Sequence, residues 1–103
     1  MKDIQKKLDK LYEMSGSANI TCNQLTTALK ALGFSIRDGK NGVHKIAKHP
    51  AVSVLDSPDY NCGHNEGNKI KKPYISKLIK FVKNNEEAIK ESSKWNLIQR
   101  LTQ

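Results

Sequence analysis

Gly33 marks the change of hydrophobic period that most constrains the fold of this chain. The apolar residues before it recur at the spacing of an amphipathic helix and are Leu25, Ala28, Leu29 and Leu32. After Gly33, apolar and polar residues alternate with a period of two, which is typical of a strand that buries one face. A helix and a sheet that meet at a single glycine are expected to share one core, so the pattern predicts an α+β domain.

The alternating stretch is predicted to form three short antiparallel strands. Phe34 and Ile36 lie in the first strand, and the turn-forming residues 38–42 connect it to a second strand over 43–48. A loop that contains two prolines follows, and Tyr60 then lies in a short third strand. A small sheet of this kind packs helices on one face and leaves the other face free for a ligand.

Helical periodicity returns after the strands. Pro73 suits the first turn of a helix. An apolar stripe with helical spacing follows it and consists of Ile75, Leu78, Ile79 and Val82. The central order is therefore helix, three strands and helix.

Two helical additions flank this central order. A short helical stripe near the start of the chain consists of Ile4, Leu8 and Leu11, and the tail after residue 85 is helix-tolerant and apolar. We expect a single domain over 1–103 with three parts: an N-terminal helix over 1–19, a core over 20–85 and a C-terminal helical extension over 86–103. The additions either enlarge a small core or mediate self-association through Trp95, and we favour the first.

Positive charge is concentrated in one part of the chain. The net charge is +8, and residues 40–83 supply +6 of it from nine lysines against three acids. The lysines are Lys40, Lys45, Lys48, Lys69, Lys71, Lys72, Lys77, Lys80 and Lys83. A field of one sign on a small domain attracts polyanions and gives salt-dependent binding, so nucleic acid is the first partner to consider. The alternative is that these lysines only solvate a surface.

Cysteine content and hydropathy bear on the compartment. Cys22 and Cys62 are too few for a disulfide scaffold and have no CxxC spacing, so we expect half-buried free thiols in a reducing compartment. No apolar run approaches the roughly 20 residues of a membrane span, and the charged start lacks the apolar stretch of a signal peptide. A cytoplasmic protein is expected.

Four short motifs follow one another along residues 25–84. They are Leu-x-x-Ala-Leu-x-x-Leu-Gly-Phe from Leu25, Gly-Val-His-Lys-Ile from Gly42 with His-Pro at His49, Gly-His at Gly63, and Lys-Ile-Lys-Lys-Pro-Tyr-Ile from Lys69. In this order they resemble the HicA toxin family of type II toxin-antitoxin systems. The resemblance covers rather more than half of the chain.

The resemblance implies a fold, an activity and a partner. HicA proteins are small and basic, have a double-stranded-RNA-binding-like α-β-β-β-α fold, and are endoribonucleases (mRNA interferases) that cleave mRNA without a metal. A HicB antitoxin covers their active site. Their second strand carries Gly-Ser-His, whose histidine is required for cleavage, and here that motif is Gly42-Val43-His44. The resemblance thus assigns His44 as the catalytic residue, while Val43 and Ala47 depart from the family's serine and bulky aromatic.

The chemistry of RNA cleavage needs few groups. RNA supplies its own 2′-hydroxyl nucleophile, and histidine is the usual general base because its ordinary pKa lies near neutral pH. His44 is expected to fill that role, with water, His64 or a lysine completing the proton transfer. The residues expected to bind RNA phosphates are Lys45, Lys48, His64, Lys69, Lys71, Lys72 and Lys77. The scattered histidines and cysteines match no zinc-ligand spacing, so neither a metal nor another cofactor is expected.

Two other functions stay open on the sequence. One is RNA binding without cleavage, and the other is a protein-interaction module whose basic face docks an acidic partner. Tyr74 either stacks on an unpaired base or is half-buried in the core, and the second is favoured for an aromatic in a first helical turn. His49, next to Pro50, is expected to be a strand-end residue.

Overall fold

The computed structural model of the protein describes residues 2–17, 19–39, 43–53, 57–63 and 67–93. Within these ranges the chain forms α1 (Lys2–Tyr12), α2 (Cys22–Ala31), β1 (Ser35–Asp38), β2 (His44–Lys48), β3 (Asp59–Asn61), α3 (Lys72–Asn84) and a helix α4 over 86–93. The predicted α+β class and the order of helix, three strands and helix are confirmed. No helix in the described part of the chain is long and apolar enough to cross a membrane.

Local sequence signals set both ends of α2. At its start the Thr21 hydroxyl accepts from the N–H of Gln24 at 3.2 Å, and the Gln24 side chain accepts from the N–H of Thr21 at 2.9 Å, which makes a capping box. After its end, Gly33 has a φ of 98°, in the left-handed region that glycine adopts readily. This turn directs Phe34 into the core just before β1.

The three strands pair in the order β1-β2-β3, and both pairs are antiparallel. Ile36 lies opposite Ala47, and Lys45 lies opposite Tyr60. Paired residues share a face of the sheet, and both Ala47 and Tyr60 are fully buried, so this face packs against the helices. The Tyr60 hydroxyl also shares a 2.6 Å hydrogen bond with the hydroxyl of Thr26 on α2.

One hydrophobic cluster contains buried side chains from all four helices of the described chain and from the sheet. The flanking helices contribute Leu8 and Leu11 from α1 and Ile89 from α4. The Tyr12 hydroxyl donates to Oε1 of Glu86 at 3.0 Å and ties these two helices together. Both flanking helices therefore enlarge the core, while Trp95 lies outside the described residues.

The expectation of free thiols is wrong. Cys22, in the first turn of α2, and Cys62, directly after β3, form a disulfide whose Cα atoms are 5.4 Å apart. The two segments meet because the Cys22 N–H donates to the Asn68 carbonyl at 2.9 Å and the Asn68 side chain donates to the Cys62 carbonyl at 3.3 Å. A separation of 40 residues gives no local sequence signal for this pairing. Structural disulfides are typical of oxidising compartments, so the cysteines do not support the expected cytoplasmic location.

Candidate active site

The face of the sheet that points away from the helices carries side chains of all three strands, and we call it the open face. Its members alternate with the helix-facing residues and are Ser35 and Arg37 of β1, His44, Ile46 and Lys48 of β2, and Asp59 and Asn61 of β3. All of these residues are at least partly exposed. The register places Arg37, Ile46 and Asp59 in one row across the sheet. Cations, an imidazole and a carboxylate thus share one small surface.

The His44 ring has two edges in different surroundings. Its side chain is 37% exposed, yet Nδ1 is covered and has no hydrogen-bond partner among the described residues. Oδ2 of Asp59 lies 3.5 Å from this Nδ1, which is within ion-pair range but longer than a normal hydrogen bond. The exposed part of the ring is therefore the edge that carries Nε2.

The end of the hairpin holds the backbone of His44. The Gly39 N–H donates to the His44 carbonyl at 2.7 Å, and the Cys62 N–H donates to the neighbouring Val43 carbonyl at 2.8 Å. A Cβ at position 39 would lie 3.2 Å from the Cβ of His44. Glycine at this position lets the hairpin close tightly against the histidine, and the connecting residues 40–42 lie outside the described chain.

Asp59 connects His44 to α3. Its Oδ1 lies 3.9 Å from Nζ of Lys77, while its Oδ2 faces His44. The Asp59 and Lys77 side chains are 45% and 67% exposed, so both groups lie at the edge of the open face. Lys77, which was expected to bind phosphate, thereby approaches the same carboxylate as His44.

Arg37 and Lys48 are the basic side chains of the open face itself. Lys48 was expected at an RNA site from the sequence, whereas Arg37 and Asp59 were missed. The alternation of Ser35 and Arg37 with Phe34 and Ile36 is the signal that places Arg37 on this face. Asp59 had no such signal, because only the register of β3 against β2 brings it beside His44.

Lys45 is placed on the opposite face from His44. It pairs across the strands with Asp38 and Tyr60, its side chain is 15% exposed, and its Nζ forms an ion pair with Asp38. Neighbouring residues of a strand point to opposite faces, so the structure does not bring Lys45 and His44 together.

The other lysines expected to bind phosphate lie around the start of α3. Lys69, Lys71 and Lys72 are all exposed, and Lys69 forms an isolated β-bridge with Thr21. Lys71 occupies the N-cap position of α3 without a side-chain capping bond. His64 was also expected in this group, but it lies outside the described residues.

His49 is a structural residue at the end of β2. It is 6% exposed, its Nδ1 accepts from the Ala51 N–H at 3.1 Å, and its Nε2 lies 2.9 Å from the Leu32 carbonyl. Because Nδ1 is an acceptor, Nε2 carries the hydrogen and donates to Leu32. Burial lowers the pKa of His49 from its ordinary value, against an opposing effect of the Leu32 carbonyl. Tyr74 is half-buried against the core, which fits the favoured interpretation.

Within the described ranges, no three His, Cys, Asp or Glu side chains come together in a group that would hold a metal ion. No protein-family model, no curated protein and no solved structure matches this chain. The residues themselves, and the resemblance of their order to HicA proteins, are therefore the basis for a function of this chain.

Proposed function

We propose that this protein is a HicA-like endoribonuclease that cleaves mRNA without a metal, on a double-stranded-RNA-binding-like fold. The observation that carries the proposal is the position of His44, a partly exposed imidazole on the open face of a cationic sheet. It stands where the family has its required histidine. The order of a helix, three antiparallel strands and a helix supports the same assignment.

The proposed reaction uses the nucleophile that RNA supplies. His44 takes the proton of a 2′-hydroxyl, the 2′-oxygen attacks the adjacent phosphorus, and the bond from phosphorus to the 5′-oxygen breaks. The products are a 2′,3′-cyclic phosphate and a 5′-hydroxyl, whose proton comes from water, a lysine or His64. Arg37, the diagonal neighbour of His44 across β1 and β2, stabilises the negative charge that builds up on the phosphoryl oxygens, and Lys48, further along β2, binds a neighbouring phosphate.

RNA cleavage in the presence of EDTA tests the proposal. The wild type should convert full-length RNA to fragments that end in a 2′,3′-cyclic phosphate. His44→Ala should lower the rate about 100-fold or more, because it removes the general base. A substrate with a 2′-deoxy group at the scissile nucleotide should stay intact, because it lacks the nucleophile. Fragment ends are read by mass spectrometry.

A matched variant shows whether loss of cleavage comes from the site or from loss of any positive charge. Lys30 is an exposed cation on α2, on the helix side of the sheet, and Lys30→Gln should cleave at the wild-type rate. RNA that stays intact but is retained in a salt-dependent manner would indicate a non-catalytic RNA-binding domain. If RNA is neither cleaved nor retained, the remaining function is that of a basic protein-interaction module.

A protein partner belongs to the same proposal. An exposed cationic face with a competent histidine would act on cellular RNA unless it were covered, and a HicB-like antitoxin that presents carboxylates would cover it. Inducing the wild type should arrest bacterial growth, and inducing His44→Ala should not. Growth arrest by both proteins would show that the toxicity does not come from cleavage.

A further inference from the structure

We propose that Asp59 is a positioning residue that fixes the protonation pattern of the His44 ring and leaves Nε2 free to act as the base. The proposal rests on the proposed ribonuclease function. The fold covers one polar atom of the His44 ring, Nδ1. Nδ1 of His44 is inaccessible to solvent and has no hydrogen-bond partner within the described chain, and Oδ2 of Asp59 lies 3.5 Å away, within ion-pair range.

A carboxylate facing an imidazole nitrogen selects one tautomer. An ionised carboxylate only accepts hydrogen bonds, so Nδ1 must carry the hydrogen and Nε2 must carry the lone pair. The Nε2 edge is the exposed edge of His44, where a ribose hydroxyl approaches. After proton transfer, Asp59 also stabilises the imidazolium ion that forms. The tautomer that Asp59 selects is thus the one that the reaction requires.

The distance of 3.5 Å between Nδ1 of His44 and Oδ2 of Asp59 is compatible with an active site that holds no substrate. Hydrogen bonds between a base and its orienting group are often long in the free enzyme and shorten when substrate binds. A side-chain rotation that brings the two atoms about 0.5 Å closer makes a normal hydrogen bond. Nζ of Lys77 on α3 lies 3.9 Å from the other carboxylate oxygen of Asp59, so this oxygen faces a cation while Oδ2 faces His44.

The fold positions this pair through strand register alone. Asp59 lies opposite Ile46, and His44 lies opposite Asn61, so the two side chains are diagonal neighbours on the open face. A slip of one residue between β2 and β3 would turn Asp59 to the other face and leave His44 without its partner.

The tautomer can be measured without any cleavage assay. Imidazole ¹⁵N shifts of the full chain above neutral pH should show hydrogen on Nδ1 of His44 in the wild type. Asp59→Asn should move that hydrogen to Nε2, because the amide group can donate to Nδ1. His49 is the internal control: Ala51 and Leu32 fix its hydrogen on Nε2, and it should not change in Asp59→Asn.

Kinetics supply the second measurement. Asp59→Asn should lower kcat about 100-fold with KM changed by less than about 3-fold, because the wrong tautomer disables the base while RNA binding remains. Asp59→Glu keeps the carboxylate and should retain activity within about 10-fold of the wild type. Asp38→Asn removes the same charge from β1 on the opposite face and should cleave at the wild-type rate.

The outcomes separate the two proposals. If the wild type cleaves RNA and Asp59→Asn keeps both its kcat and its His44 tautomer, Asp59 has no positioning role and the ribonuclease proposal stands. If the wild type does not cleave RNA, the ribonuclease proposal fails, and the ¹⁵N shifts alone decide whether Asp59 controls His44. Unchanged His49 signals in Asp59→Asn confirm that this variant is folded.

Discussion

At the scale of single residues, His49 couples folding to pH. Burial lowers its pKa in the folded protein, while in the unfolded chain it titrates near its ordinary value of about 6.5. As the pH falls below that value, the unfolded chain binds a proton that the folded protein excludes. The stabilisation is therefore complete above about pH 6.5 and is lost as the pH falls towards the lower pKa of the folded state.

Thermal unfolding between pH 8 and pH 5 checks this prediction. The Tm of the wild type should fall with acidification, and His49→Gln should lose less of its Tm over the same range because it cannot titrate. His49→Gln should also be less stable than the wild type at pH 8, since it disturbs the bonds to Leu32 and Ala51. Equal acid sensitivity of both proteins would contradict the prediction.

Two constraints favour glycine at position 33: its left-handed backbone and its close neighbour His49. Comparison with Gly16 separates the two effects. Gly33 and Gly16 both have left-handed φ values, of 98° and 83°. A Cβ at Gly33 would lie 3.0 Å from Nε2 of His49, whereas a Cβ at Gly16 would meet nothing within 4 Å. Gly16→Ala should cost about 1 kcal/mol from backbone strain. Gly33→Ala should cost about 1 kcal/mol more, measured by urea unfolding, because it also crowds His49.

At the scale of elements, the sheet presents Arg37 and Lys48 on its open face, whereas Lys30 lies on α2. Arg37 and Lys48 should each contact one RNA phosphate, so Arg37→Gln and Lys48→Gln should each reduce the slope of log K against log salt by about 0.7. Lys30→Gln should leave the slope unchanged. Binding is measured by fluorescence anisotropy, with every substitution made in the His44→Ala background to prevent cleavage. Equal slopes in this background and in its three variants would show that the open face is not the RNA site.

At the scale of the whole molecule, the disulfide between Cys22 and Cys62 closes a loop with a sequence separation of 40. In the chain-entropy model, closing a loop of this length restricts the unfolded chain and stabilises the folded protein by about 4 kcal/mol. Reduction should therefore lower the free energy of unfolding by an amount of that order.

Urea unfolding with and without a phosphine reductant measures the effect. The Cys22→Ser, Cys62→Ser double variant should match the reduced wild type and should not respond to the reductant. A wild type whose stability is the same in both conditions, with both thiols open to alkylation before reduction, would show that the bond does not form in solution.

The helices, the strands and their order could be predicted from the amino-acid sequence. Helix periodicity, the turn at Gly33 and Pro73 in the first turn of α3 all act within a few residues, so they can be recognised along the chain. The candidate histidine was also recognisable, because motif order and strand alternation are properties of the sequence.

The surroundings of His44 could not be predicted in this way, because they depend on how the folded chain packs. Strand register placed Asp59 beside the imidazole and turned Lys45 to the opposite face, and packing of α3 brought Lys77 to the same carboxylate. The meeting of Cys22 with Cys62 was likewise a result of packing. These contacts join residues that are distant in sequence, and their geometry follows from how a shared core is filled rather than from any local preference of the chain.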